Sequence, residues 1–195
     1  MNLKEKLILV ESGQPYNGLD SELVELETKA AELTDKMNYE KNPENKEKII
    51  RDLFGSVGIS PVVSPTFRCG IGSNIYVGDN FFANYDCMIL DGGKVTIGNN
   101  VLFGPKVGLY TTNHLIDHEE RSKGGCVAKP ITIGNDCWLA ADVSVLPGVT
   151  IGDNTIIGAG SVVTHDVPSD VVAVGNPCRV IRKITPEDRT GFLDR

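Results

Sequence analysis

From residue 71 onward, aliphatic side chains recur every six residues, and few folds are compatible with such a period. In the later half of the chain two series run without a break, the second lying four positions after the first. The first is Ile133, Leu139, Val145, Ile151, Ile157 and Val163, and the second is Cys137, Val143, Val149, Thr155, Ser161 and Val167. Such a period is the signature of a repeat architecture, in which stacked units bury a core that no single unit could bury.

The same period is present earlier in the chain, with one two-residue slip near Gly92-Gly93 that predicts a bulge or turn. Its members are Ile71, Val77, Ala83, Ile89, Ile97, Phe103 and Leu109. Ile-Gly-Asp/Asn-Asn, at 97–100 and 151–154, places an aliphatic residue before residue types that permit a tight turn. We therefore predict a mainly β fold in which three short strands close each coil of a solenoid.

The first 55 residues follow a helical period instead. After a candidate cap at Asp20 or Ser21, one apolar stripe predicts a helix. The stripe consists of Leu23, Leu26, Ala30, Leu33 and Met37. A second helix is predicted from Asn42-Pro43, with Ile49, Ile50 and Leu53 on its buried side and Gly55 as its stop.

The segment 111–130 breaks the six-residue period, is polar, and ends at Pro130 just before the repeats restart. We expect a protruding excursion loop here. Because an uninterrupted solenoid offers mainly packing surfaces, such a loop is the natural carrier of function.

Charge and cysteine usage narrow the classes of function. A net charge of −7 over 195 residues argues against binding to nucleic acid or to an anionic membrane, and no apolar run is long enough for a membrane span. The short apolar run near the amino terminus does not resemble a signal peptide, so we expect a cytoplasmic protein. The five cysteines form no CxxC pair and are interpreted as reduced, buried filler: Cys69, Cys87, Cys126, Cys137 and Cys178.

Two of the three histidines, His114 and His118, lie in the excursion loop. A neutral imidazole can accept the proton of a hydroxyl that attacks a carbonyl, which makes His114 a candidate general base; a solvated histidine without a role is the alternative. A metal site formed with Asp117 and Glu119 is also possible, but the spacing is poor because ligands four apart face one another only on a helix.

Two further features suggest a ligand surface. Arg179, Arg182 and Lys183 form a compact basic cluster that could meet the phosphates of a nucleotide-like cofactor, although such clusters are commonly solvated. Trp138, the one tryptophan, is expected to point outward, where it could wall a groove.

Several blocks of this sequence together resemble the maltose and galactoside O-acetyltransferases of the hexapeptide-repeat acyltransferases. The resemblance covers nearly the whole chain. It rests on Asn80-Phe81-Phe82-Ala83-Asn84, Phe103-Gly104-Pro105, Asn113-His114, Ala128-Lys129-Pro130-Ile131, Pro147-Gly148-Val149-Thr150-Ile151-Gly152, residues 157–164 and residues 175–182.

The resemblance implies a left-handed parallel β-helix at 58–184, an N-terminal helical cap at 1–57 and a tail at 185–195. It also implies a homotrimer with active sites between subunits, transfer of an acetyl group from acetyl-CoA to a hydroxyl of a sugar-like acceptor, and no metal. His114 would be the catalytic base. The implied cofactor contacts are Trp138, Ala141, Ala159, Thr164, Arg179 and Arg182, and the candidate acceptor contacts are Asn84, Asp91 and Asp20.

Four positions on the acceptor side depart from the family pattern: Glu27, Gly70, Gly92 and Cys126. They leave the acceptor open among maltose or glucose, a galactoside, another polyol and an amine. Two other classes remain as alternatives. One is a metal-dependent hydratase of the γ carbonic anhydrase kind, which needs three converging histidines, and the other is a non-catalytic solenoid that serves as a scaffold.

Overall fold

The computed structural model describes residues 1–192 and begins with three helices. Helix α1 spans Leu3–Glu11, α2 spans Ser21–Tyr39 and α3 spans Pro43–Leu53. Asp20 caps α2 and Asn42 caps α3, as the sequence predicts. Helix α1 has no clear apolar stripe and was not recognised as a separate helix; it starts at a capping box formed by Asn2 and Glu5.

The rest of the chain is built from short strands, most of which lie on three parallel faces. Face 1 contains β2 (Ser56–Val57), β5 (Ile75–Val77), β8 (Val95–Ile97), β13 (Ile131–Ile133) and β16 (Thr150–Ile151). Face 2 contains β3 (Val62–Val63), β6 (Phe82–Ala83), β9 (Leu102–Phe103), β14 (Trp138–Leu139), β17 (Ile156–Ile157), β19 (Val171–Val174) and the antiparallel β20 (Arg179–Lys183). Face 3 contains β4 (Arg68–Cys69), β7 (Met88–Leu90), β10 (Gly108–Tyr110), β15 (Ser144–Val145) and β18 (Val162–Val163).

The chain visits the faces in the fixed order 1, 2, 3, so the strands stack into five complete coils and part of a sixth. This confirms the predicted parallel β-helix. All twelve positions of the two unbroken six-residue series are buried, Thr155 and Ser161 included. The aliphatic members form one continuous core with the inner faces of α2 and α3. The period in the sequence is thus the period of the core.

Asparagines and aspartates turn the corners of the coil. Asn100 and Asn154 adopt left-handed backbone conformations, with φ of 56° and 51°. Their side chains also stack from coil to coil, because Asn80 donates to Asn100 at 2.8 Å and Asn100 donates to Asp136 at 2.9 Å. The Ile-Gly-Asp/Asn-Asn pattern therefore marks both the turn and a hydrogen-bonded ladder.

The slip at Gly92-Gly93 is a bend between β7 and β8, as predicted. Thr111 of the next coil accepts a hydrogen bond from the Gly93 amide at 2.8 Å. The extra residues are thereby tied into the stack.

The excursion loop leaves the coil after β10 and returns before β13, at the corner between faces 3 and 1. It is more ordered than the predicted loop. It holds β11 (Thr112–His114), helix α4 (His118–Ser122) and β12 (Gly125–Ala128). β11 pairs antiparallel with β12, and β12 also pairs with β1 (Tyr16–Asn17), which precedes α2. Pairing with a distant strand gave no local signal in the sequence.

After β18 the chain closes the end of the coil. β19 and β20 form an antiparallel pair on face 2, and Cys178 in the connection between them is buried against the core. A short 3₁₀ turn at Pro186–Asp188 follows. Within residues 1–192, no helix has the length and apolarity needed to cross a bilayer.

Candidate active site

His114 ends β11, on the inner hairpin of the excursion loop. Its register partner on β12 is Cys126, and the partner of Cys126 on the other side is Tyr16 of β1. The three-stranded sheet therefore aligns an imidazole, a thiol and a phenol in one row. His118 lies on α4 instead, is largely exposed, and does not share this row.

The imidazole of His114 is exposed, and its Nδ1 lies 3.5 Å from the Sγ of Cys126. Cys126 itself is only 6% exposed. Burial raises the pKa of its thiol, and the charge of Glu27 adds to that effect, so the thiol is neutral. In the tautomer in which Nδ1 carries the proton and donates it to this sulfur, Nε2 is the unprotonated nitrogen and can accept a proton.

His114 forms part of the wall of a cavity of about 250 Å³ between the N-terminal segment, the coil and the excursion loop. The N-terminal segment contributes Val10, Tyr16, Gly18, Leu19, Leu23 and Glu27. The coil contributes Gly70, Ile71, Leu90 and Gly92, and the loop contributes Thr112, His114, Gly124 and Cys126. Three segments far apart in sequence therefore meet at one cavity, and the exposed imidazole forms part of its wall.

The four positions that depart from the family pattern all line this cavity: Glu27, Gly70, Gly92 and Cys126. A Cβ atom built on Gly92 would lie 2.3 Å from the Oγ1 of Thr112 and 3.2 Å from the hydroxyl of Tyr16. These two hydroxyl groups occupy the space that a side chain at position 92 would need. The departures in sequence are thus concentrated at one place in the fold.

Glu27 is the one carboxylate on the cavity wall. Burial raises its pKa, and the nearby charge of Asp91 raises it further. Burial likewise raises the pKa of Tyr16, against a smaller opposing effect from the Thr112 hydroxyl. The phenol is consequently neutral at physiological pH.

Two of the predicted acceptor contacts are engaged within the chain. Asp91 is fully buried, and its Oδ1 accepts hydrogen bonds from the amides of Gly70 and Ile71, both at 2.9 Å. Asp20 caps α2 and pairs with Lys6 at 2.7 Å, which lowers the pKa of its carboxyl. Neither carboxylate is part of the cavity wall, because each is used to hold a bend or a helix start.

Several other predicted residues follow the corner between faces 2 and 3. Asn84 comes directly after β6, and Ala141 and Ala159 are the second residues after β14 and β17, which stack with β6 on face 2. Trp138 lies on β14 just before this corner and is 47% exposed. Ala141 and Ala159 carry small side chains and lie at this corner in neighbouring coils, where they form a strip of small residues along the axis of the coil.

The basic residues lie at the carboxyl end of the same face. Arg179 shares a recess of about 310 Å³ with His165, whose Nδ1 is 2.8 Å from the Oγ1 of Thr164. Arg182 forms a two-bond ion pair with Asp188, at 2.8 and 2.9 Å. Thr164 lies at the corner between faces 3 and 1, so the predicted cofactor residues do not all share one corner.

Face 3 separates the two groups within one protomer. Asn84 enters face 3 and Leu90 leaves it toward the cavity, six residues later, so the two corners lie at most roughly 20 Å apart. His114 and the cavity are at one edge, and Asn84 with the strip of small residues is at the other.

No group of three or more His, Cys, Asp or Glu side chains among residues 1–192 is arranged to hold a metal ion. The three histidines, His114, His118 and His165, are on β11, α4 and the turn after β18. The five cysteines are free thiols, four of them buried.

The residues that build the cavity walls were mostly missed from sequence. Tyr16, Leu19, Leu90 and Thr112 belong to no motif, and their apolar or hydroxyl side chains are common everywhere; Ile71 was predicted only as a member of the six-residue series. Only the four departures from the family pattern pointed to this place.

Comparison with known proteins agrees with the fold. Residues 130–165 match the family model described as bacterial transferase hexapeptide (six repeats). Residues 10–58 match the model described as maltose acetyltransferase hexapeptide capping motif. The second match covers β1, α2 and α3, of which β1 and α2 contribute residues to the cavity wall.

Among curated proteins, the galactoside O-acetyltransferase of Escherichia coli K12 is 49% identical over 146 residues, 75% of this chain and 72% of that protein. A maltose O-acetyltransferase from Clostridium difficile 630 has a similar structure, with a TM-score of 0.89 and 47% identity over 92% of this chain and 97% of that one. A galactoside acetyltransferase in complex with coenzyme A gives a TM-score of 0.90 and 42% identity over 96% and 94% of the two chains. With a cap, a hexapeptide coil and such relatives, this chain belongs to the maltose and galactoside O-acetyltransferase family and is an acetyltransferase.

Proposed function

We propose that this protein transfers an acetyl group from acetyl-CoA to a hydroxyl of a small acceptor, with His114 as general base. The observation that carries the proposal is the position of His114, whose imidazole forms part of the wall of a partly open cavity while Nδ1 faces Cys126. Nε2 is then the nitrogen available to the acceptor hydroxyl.

The donor side is supported by the strip of small residues at the corner between faces 2 and 3. Ala141 and Ala159 present little bulk beside Trp138, and Arg179 and Arg182 lie at the end of that face. Neighbouring strands are about 4.8 Å apart, so the level of Asn84 and that of β19 are separated by roughly 19 Å. An extended pantetheine arm fits that length, with its phosphates toward the arginines. A relative of known structure carries coenzyme A.

We further propose a homotrimer with the active site between subunits. In one protomer His114 and the acceptor cavity lie across face 3 from Asn84 and the donor strip. A second copy that packs its donor corner against this excursion loop would bring the two halves together. Asn84 would then approach the acceptor from the neighbouring subunit, which fits its separation from His114 in the single chain.

The chemistry needs one proton transfer in each direction. Acetyl-CoA supplies the thioester carbonyl carbon. Nε2 of His114 takes the proton of the acceptor hydroxyl as the oxygen forms a bond to that carbon, and the protonated imidazole returns the proton to the departing sulfur. Enclosure of the acceptor beside the base provides orientation, and backbone N–H groups would stabilise the charge that develops on the carbonyl oxygen.

The test is release of the CoA thiol in the presence of a panel of hydroxyl acceptors, for wild type, His114→Ala and His118→Ala. We expect turnover of His114→Ala to fall by about 10²–10⁴-fold, the usual effect of losing a general base. His118→Ala is the matched control, because it removes a second imidazole from the same loop outside the cavity. Equal turnover of His114→Ala and wild type would refute the mechanism.

Two physical properties support a cytoplasmic location for this activity. All five cysteines are free thiols, as is usual in a reducing compartment, and the donor, acetyl-CoA, is a metabolite of the cytoplasm.

A further inference from the structure

We propose that the acceptor is an alcohol with an aliphatic body and a positively charged ammonium group, the charge lying against Glu27 and the ring of Tyr16 while the hydroxyl faces His114. This inference rests on the proposed function, since it names the acceptor class of the same cavity.

The side chains that line the cavity are mostly apolar. Five aliphatic side chains line the cavity: Val10, Leu19, Leu23, Ile71 and Leu90. Gly70 and Gly92 add no polar side chains, and Asp91 beneath them is held by backbone amides. A sugar buried here would leave several hydroxyls without partners, at a cost of about 1–3 kcal/mol for each unpaired group. An aliphatic body has no such cost.

The negative charge on the cavity wall favours an ammonium group on the acceptor. Glu27 has no hydrogen-bond or ion-pair partner in the part of the chain the structure describes, and no lysine or arginine lines the cavity. Asp91 adds a second negative group close by. Glu27 is exposed to solvent on α2, but it stands on a cavity wall that is otherwise mainly apolar, so an opposite charge bound there is favoured over a neutral ligand.

Tyr16 provides the complementary surface. It lies in the same wall as Glu27, with its hydroxyl turned toward Thr112 and Gly92. The face of an aromatic ring attracts an ammonium group, by about 0.5–2 kcal/mol depending on how far the pair is desolvated. A cation between the carboxylate and the ring would gain from both.

Two alcohols of nearly the same shape separate the effect of the acceptor's charge from the effect of its shape. Choline and 3,3-dimethylbutan-1-ol have the same hydroxyl and nearly the same shape, and they differ in whether the branched centre is a quaternary nitrogen or a carbon. Neither can be acetylated on nitrogen. Acetyl transfer is measured as kcat/KM from CoA release, with glucose as the polar comparison, for wild type, Glu27→Gln and Glu32→Gln. Glu32 is exposed on the same helix, α2, and does not line the cavity, which makes it the matched control.

For wild type we expect choline to exceed its neutral analogue by at least about tenfold, equivalent to about 1.4 kcal/mol, with glucose below both. In Glu27→Gln the ratio of the two alcohols should fall by about threefold but stay above one, because the Tyr16 ring still attracts the cation, and in Glu32→Gln it should keep the wild-type value.

Three results would overturn the inference: equal kcat/KM for the two alcohols in wild type, an undiminished ratio in Glu27→Gln, or glucose as the best acceptor. If a neutral sugar is acetylated in a His114-dependent way while choline is not, only this inference fails. If no acceptor releases CoA, the proposed function fails with it.

Discussion

Replacement of Asn100 by alanine tests the idea that corner asparagines hold the coil together through both backbone and side chain. Asn100 has φ of 56°, accepts from Asn80 at 2.8 Å and donates to Asp136 at 2.9 Å. Alanine in the left-handed region costs roughly 1 kcal/mol more than asparagine. Loss of two exposed hydrogen bonds costs about 0.5–1 kcal/mol each. We expect the free energy of unfolding to fall by about 2–3 kcal/mol, measured by urea titration.

Asn100→Gly separates the two contributions, because glycine adopts positive φ without strain but has no amide. It should be destabilised by about 1–2 kcal/mol, clearly less than alanine. All titrations are run at one protein concentration, since assembly would add to the apparent stability. Unchanged stability of Asn100→Ala, or equal losses for the two variants, would refute this account of the corner.

The remaining predictions concern the core, the base and the cavity. Leu139→Ala should lower the free energy of unfolding by about 2–5 kcal/mol, because Leu139 is fully buried; a loss below about 1 kcal/mol in the same titration would mean that the coil closes around the gap. Cys126→Ala should lower kcat for acetyl transfer and shift the acidic limb of the profile of kcat against pH, because the sulfur that lies beside Nδ1 of His114 is removed. An unaltered profile would exclude a positioning role for the thiol. The preference for choline over its neutral analogue should decline as pH falls through the pKa of Glu27, where the carboxylate gains a proton. Because burial and the charge of Asp91 raise that pKa, the decline should begin at a higher pH than for an ordinary glutamate, and a constant ratio between about pH 8 and pH 5 would contradict it.

The sequence predicts the coil and the helices α2 and α3 because the patterns that indicate them involve residues only a few positions apart. A six-residue spacing requires only that each strand and corner repeat, so every member from Ile133 to Val167 could be placed inside. Asp20 and Asn42 could be named as caps because a cap acts within one helical turn. Helix α1, with a weak apolar stripe, had no comparable signal.

The site was readable only in part. The polar break of a repetitive chain drew attention to His114 and His118, and the resemblance singled out His114 as the predicted base and supplied the predicted donor residues. The assignment of Asp91 and Asp20 as acceptor contacts accompanied the resemblance and stays a prediction. In the fold the amides of Gly70 and Ile71 and the ammonium of Lys6 occupy those carboxylates first.

The sequence by itself determined the architecture of the coil, its corners and the position of the break that carries His114, because each depends on residues a few positions apart. Only the tertiary structure decided what surrounds the imidazole. The cavity joins α2, the bend at Gly92 and the hairpin of the excursion loop, and no spacing rule relates Tyr16 or Glu27 to Cys126. Such a wall is formed by packing between distant segments, and its apolar, negatively charged character became visible only when they were brought together.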